Sequence, residues 1–271
     1  MDDIGVTLGS VTAMDELAGA GFVTSGSLMA PCPWFPDVAA MAARRPGLDL
    51  GLHLTLTSES VRMRWRPMST TSRASGLIDD DGFMWSTVPA LRANAHPDAV
   101  EDELETQIAA ARSAGIVLTH LDHHMGGAFA PEFAETTVRI AGRHRLPFLL
   151  PGDPAAYAAV LNWGPADLEI LRGLRDDAVA AGAIPTDRFL MGLTFRNEEP
   201  GAVYRRFMQE ATGLSFLSMH CDAPGEVWAV HPNDAAWRVA EYEWARRGAT
   251  EIPTGVAFSD FREVGARWRW D

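Results

Sequence analysis

Apolar and polar positions along the chain follow two rhythms in turn. Short runs rich in Val, Ile, Leu and Phe read as strands: "GFVTSGSLM" (21–29), "LDLGLHLTL" (48–56), "GIVLTHLD" (115–122), "LPFLLP" (146–151), "RFLMGLTF" (188–195), "LSFLSMHC" (214–221) and "EIPTGVAF" (251–258). Helical periodicity occupies 35–45, 97–114, 165–182, 201–212 and 233–247. In the second of these, Val100, Leu104, Ile108 and Ala111 recur on one face. Strands separated by helices argue for parallel pairing through right-handed crossovers, hence a barrel or an open α/β sheet. The expectation is a distorted, TIM-like (β/α) barrel, a single domain over 1–271. The segment 58–97 breaks the rhythm: it is polar, rich in Ser, Thr, Arg and Pro, carries "DDDG" at 79–82, and reads as a long functional loop. Neither an internal repeat nor a low-complexity tract is visible.

Several strand runs contain groups that do not belong in an apolar interior. His53 alternates with Leu52 and Leu54 and so faces the barrel axis. His120, Asp122 and His124 recur with the two-residue period of one strand face, and His220 closes "LSFLSMH". Three inward polar side chains left unsatisfied cost about 1–3 kcal/mol each, so they imply either a dedicated network or a site. His123 is out of phase and is expected to face away. In α/β barrels the residues that act gather at the C-terminal strand ends, where these lie. Asp2 and Asp3 complete the set, although they arrive with no strand ahead of them.

Mixed imidazole and carboxylate ligands suit a divalent first-row metal. Asp3, His53 and His124 supply such a set, expected to hold one divalent ion (Mg or Zn). An unligated carboxylate beside it, Asp2, is placed to take a proton from water, and His220 to protonate a leaving group or hold an oxyanion. His120 and Asp122 are then left to orient the ligands or to meet the substrate.

Composition narrows the partners. A formal charge of −13 repels phosphate backbones and anionic headgroups, which excludes nucleic acid and membrane surfaces as partners. Cys32 and Cys221 are too far apart in sequence to form a disulfide framework, no run of about eighteen apolar residues occurs, and the start lacks a basic-then-apolar leader; the expectation is a cytoplasmic protein. Nine tryptophans include Trp34, Trp65 and Trp85 in loops, available to stack on a sugar ring, with ordinary packing as the simpler reading. Arg62, Arg64 and Arg66 fit a solvated charge run, and a homo-oligomer stays open.

In order and spacing, "DDIGVT", "GFVTSGSLMA", "GLHLTLT", "THLDHHMG" and "SMHCDAPGE" resemble the landmarks of the YdjC/ChbG-type carbohydrate deacetylases, and the resemblance runs from Asp2 to "FSDFREV". It implies a distorted (β/α) barrel and a divalent metal used to hydrolyse the N-acetyl group of an amino sugar or oligosaccharide. Position by position it implies Asp2 as base, Asp3, His53 and His124 as ligands, and His220 as the late histidine. Met125 and Gly126 follow His124 where many members continue with histidines. A hydrolase of another amide or ester, or a non-catalytic carbohydrate-binding barrel, would carry much of the same pattern.

Overall fold

Parallel strands form the frame. In the computed structural model, which describes residues 1–20, 23–161, 163–248 and 255–269, the strands are β1 (Gly26–Leu28), β2 (Leu50–Leu54), β3 (Leu118–His123), β4 (Arg188–Met191) and β5 (Ser215–Ser218). β1, β2 and β3 make one parallel sheet in that order, and β4 and β5 a second parallel pair. The helices are α1 (Leu8–Gly19), α2 (Phe35–Arg44), α3 (Val88–Asn94), α4 (Pro97–Ser113), α5 (Ala134–His144), α6 (Ala155–Leu161), α7 (Pro165–Ala180), α8 (Pro200–Glu210), α9 (Val227–Val230), α10 (Ala235–Arg246) and α11 (Phe261–Arg267). Among the described residues, no helix is long and apolar enough to cross a membrane.

This is a mixed α/β architecture with parallel sheets, and among the described residues the ladders do not join into a closed barrel. Between the two sheets the expected strand 146–151 contributes only the isolated bridges Leu121 to Phe148 and Pro151 to Thr186. Two prolines in that segment, Pro147 and Pro151, remove backbone donors from the ladder. The expected strand 251–258 lies in part outside the described residues, and its remainder, 255–258, is not strand. Residues 21 and 22 of the first expected strand also lie outside them.

All five anticipated helices are present to within two residues of their expected ends. α4 buries Val100, Leu104, Ile108 and Ala111 as its periodicity requires, with Pro97 at its first position, where the missing N–H costs nothing. The same face buries Glu103 and Gln107. Gln107 brackets Thr55 just beyond β2, accepting from its N–H (3.0 Å) and donating to its carbonyl (2.6 Å), while Glu103 accepts from the Met68 and Ser69 N–H groups at 3.0 and 2.8 Å. α4 therefore anchors both the end of β2 and the long segment beyond it. That segment is more ordered than a bare loop: it contains a 3-10 turn at Arg73–Ser75 and α3.

Register is the feature that positions the site. Leu50 pairs with Leu118 but Leu52 pairs with Leu121, so two residues of β3, Thr119 and His120, oppose the single residue Gly51. The extra residue is a bulge. Beyond it His53 stands beside Asp122; without it His53 would face Leu121. The His120 ring lies over Gly51, where any Cβ would come within 2.3 Å of Nε2. His120 is itself stacked on Phe261 of α11 at 3.7 Å, with Nδ1 3.3 Å from Asp49.

Candidate metal centre

Met1–Ile4 lie alongside β1 without forming a strand of their own. The Ser27 N–H donates to the Met1 carbonyl, Ile4 bridges Leu28, and the Asp2 N–H donates to the Met219 carbonyl at 2.8 Å, just past β5. Asp3 then takes φ +60°, a left-handed conformation that Asp tolerates better than most residues. The two adjacent aspartates go to different partners. Asp2 accepts from the Ser27 hydroxyl at 3.2 Å and the Ser218 hydroxyl at 2.5 Å. Asp3 turns to the histidines.

Asp3 Oδ1 lies 3.1 Å from His124 Nδ1 and 3.4 Å from His53 Nε2. Each histidine has a carboxylate on its other nitrogen: Asp122 Oδ1 is 2.7 Å from His53 Nδ1, and Glu59 Oε2 is 2.9 Å from His124 Nε2. The free nitrogens thus converge on one oxygen, and donor atoms of Asp3, His53 and His124 all fall within 4.8 Å of one another. Asp2, His53 and Asp122 form a second such group around the same imidazole. His124 is carried by a sharp turn at the end of β3, with Met125 and Gly126 both at positive φ (53° and 74°).

The electrostatics are those of a buried carboxylate balanced by one guanidinium and two imidazoles. Burial pushes the Asp3 carboxyl up, but Arg238 and the two imidazoles outweigh it and hold it well below the usual range. Arg238 Nη2 donates to Asp3 Oδ2 at 2.9 Å while Nε donates to Asp234 at 3.1 Å. Burial pulls His53 down, yet Asp122 and Asp3 carry it well above its ordinary value. His124 is likewise raised, to about 9, by Glu59 and Asp3 against burial. Carboxylate–imidazole pairs of this kind fix the tautomer of a metal-ligating histidine and raise its basicity. The donor set therefore fits a divalent cation, which would take the place of the two imidazole protons.

His220 is buried with Nδ1 lacking a hydrogen-bond partner, and burial lowers it to about 4. Its backbone N–H donates to the Glu241 carboxylate at 2.6 Å. His123 faces away as expected, among Phe129, Phe148 and Tyr157. His120 is not brought to the triad; it lies lower on the strand, in the bulge. Trp85 packs on the core with its indole N–H on the Gly76 carbonyl at 2.8 Å. Trp34 also packs on the core. Trp65 approaches the site instead, its ring 6.2 Å from that of His124. Arg64 pairs with Asp79 at 2.6 Å, so "DDDG" is a braced turn. A cavity of about 290 Å³ lies at the starting ends of β1 and β5 and meets the centre only at Asp2 and Ser27.

The profile of the YdjC-like proteins matches residues 1–250. The chain belongs to the YdjC-like family. Among its relatives are a "Carbohydrate deacetylase" of Thermus thermophilus, 36% identical over 55% of this chain and 51% of the relative, and one of Thermoanaerobacter pseudethanolicus, 27% identical over 54% and 56%. The chain spans about half the length of the curated relatives it matches. A solved structure, that of a candidate cellobiose-phosphate cleavage protein from Enterococcus faecalis V583, shares the fold with a TM-score of 0.72, at 18% identity over 97% of this chain and 96% of that one.

Two residues of this YdjC-like centre escape the sequence reading. Glu59 lies in the polar stretch "TSES", where no periodicity marks it. Arg238 does leave a signal, since it shares the buried face of α10 with Ala235, Glu241, Tyr242 and Ala245. A charge in phase with an apolar stripe calls for a partner.

Proposed function

We propose that this YdjC-like chain is a metal-dependent carbohydrate deacetylase, hydrolysing the N-acetyl group of an amino sugar or oligosaccharide on one divalent ion (Mg or Zn). The observation that carries the reading is the convergence of Asp3 Oδ1, His53 Nε2 and His124 Nδ1, with the opposite nitrogen of each imidazole held by a carboxylate. The relatives' names supply the substrate class. The fold is read as one distorted (β/α) barrel domain. In support, Met1–Ile4 runs between β1 and the end of β5, and single bridges at Phe148 and Pro151 lie between β3 and β4.

A bound divalent ion lowers the pKa of water and polarises the acetyl carbonyl. The chain's own groups do the rest. Asp3, His53 and His124 would hold the ion, and Arg238 occupies the second Asp3 oxygen, which leaves the other free to ligate. Asp2, aimed by Ser27 and Ser218, accepts the proton of the attacking water at a carboxylate oxygen. His220, neutral at physiological pH with its pKa near 4, donates an N–H hydrogen bond to the oxygen that gains charge as water adds. The proton taken by Asp2 is then available to the departing amine.

Acetate release from N-acetylglucosamine oligomers, with Mg or Zn supplied, tests the reading. Asp2→Asn is expected to lower kcat by about 10²–10⁴-fold, the usual worth of a general base, with metal content unchanged. Turnover at the wild-type rate would remove Asp2 from that role. No acetate from the wild type on any acetylated amino sugar would refute the substrate class.

A further inference from the structure

The long segment after β2 does more than lie beside the centre. Thr57 accepts from the Trp65 indole N–H at 2.8 Å, and the Ser58 hydroxyl accepts from the Trp65 N–H at 3.0 Å. The Ser58 N–H donates to the Trp85 carbonyl, and the Ser60 hydroxyl to the Val230 carbonyl at the end of α9. Ser58 and Ser60 are buried, so Glu59 is pinned on both sides with its carboxylate on His124 Nε2. The Trp65 ring, held by the same bonds, stands edge-on to the imidazole. The side chain of Glu59 is 27% exposed, whereas those of Asp2, Asp3 and Asp122 are 9% exposed or less.

From these contacts we infer that Glu59 is the positioning residue for His124: it holds the ring with Nδ1 toward Asp3 and His53, and so makes the docked 57–65 segment part of the cation site. The inference rests on the metal reading above. An imidazole has two nitrogens on opposite sides of one ring, and a carboxylate that accepts from one fixes what the other presents. His53 receives this support from Asp122 within the sheet. His124 lies past the end of β3, just before the left-handed residues Met125 and Gly126, and receives it from the loop. Docking of the segment and affinity for the cation are therefore coupled.

The test is calorimetric titration of Zn²⁺ and of Mg²⁺ into the metal-stripped full chain, for wild type, Glu59→Ala and Glu59→Gln, with the melting temperature of each metal-free protein measured alongside. Loss of a supporting carboxylate weakens metal binding by about 10–100-fold, which is the change expected for Glu59→Ala. Glu59→Gln, whose amide oxygen still accepts from Nε2, is expected to recover part of it, with metal-free melting temperatures that match wild type. An Ala variant that binds as tightly as wild type would overturn the inference and leave the metal reading standing. Weaker binding matched by a fall in the metal-free melting temperature, with no recovery in Gln, would also overturn it, because Glu59 would then only hold the loop. A wild type that takes up neither cation would bring down the metal reading and the inference together.

Discussion

Asp3 divides its two oxygens between a guanidinium and a pair of imidazoles, and every charge around it has a partner. The positive side is Arg238 with protonated His53 and His124; the negative side is Asp3, Asp122, Glu59 and Asp234. A divalent cation entering this set displaces one proton from each imidazole, because the nitrogens facing Asp3 must be free to ligate. Both histidines are raised above their ordinary value, His124 to about 9, so at neutral pH both protons are present before binding. The sign follows: protons compete with the metal, so affinity rises with pH as the imidazoles lose their protons, which for His124 happens at about 9. Calorimetry at pH 7 in two buffers of different ionisation enthalpy is expected to show about two protons released per ion, one from each imidazole. Release of none would mean that the histidines are not the ligands.

At the scale of elements, the β2–β3 register decides whether the site exists. Gly51 admits the His120 ring, the bulge that includes His120 advances β3 by one residue, and the advance sets Asp122 beside His53. Gly51→Ala places a Cβ against a ring already wedged by Phe261 and Asp49. It is expected to destabilise the fold by about 1–3 kcal/mol, the usual cost of overpacking, and to weaken metal binding by shifting Asp122 from His53. Urea denaturation and metal titration of the variant check both. Full stability with normal affinity would show that the bulge is not held by this contact. His120 thus belongs to the geometry of the strand pair, although the two-residue period groups it with Asp122 and His124. Periodicity reports a face but not how far along the strand a residue sits.

Over the whole molecule, the groups that would hold a cation come from the first residues, from β2 and from the turn after β3, with Arg238 reaching in from α10. A cation bound only by the folded chain stabilises all of these at once. At a free concentration one hundred times Kd, the gain is about 2.7 kcal/mol. Thermal unfolding is expected several degrees higher with metal than with EDTA, and Asp3→Asn is expected to abolish the difference. A wild-type transition indifferent to EDTA would mean that the cation does not engage the native state.

The sequence by itself determined the order of strands and helices, because buried strands and amphipathic helices write period and apolarity into adjacent residues. It also pointed to groups that could ligate: His53 and His124 are legible as polar residues where apolar ones belong, Asp3 only as one of an aspartate pair with no strand ahead of it, and the structure brings the three together. Tertiary structure alone decided what surrounds them. The Glu59 bond spans 65 positions and the Arg238 bond 235, and the strand register turns on one glycine's contact with a ring from another strand. Such contacts depend on where loops and helices finally pack, and that packing leaves no local period in the chain.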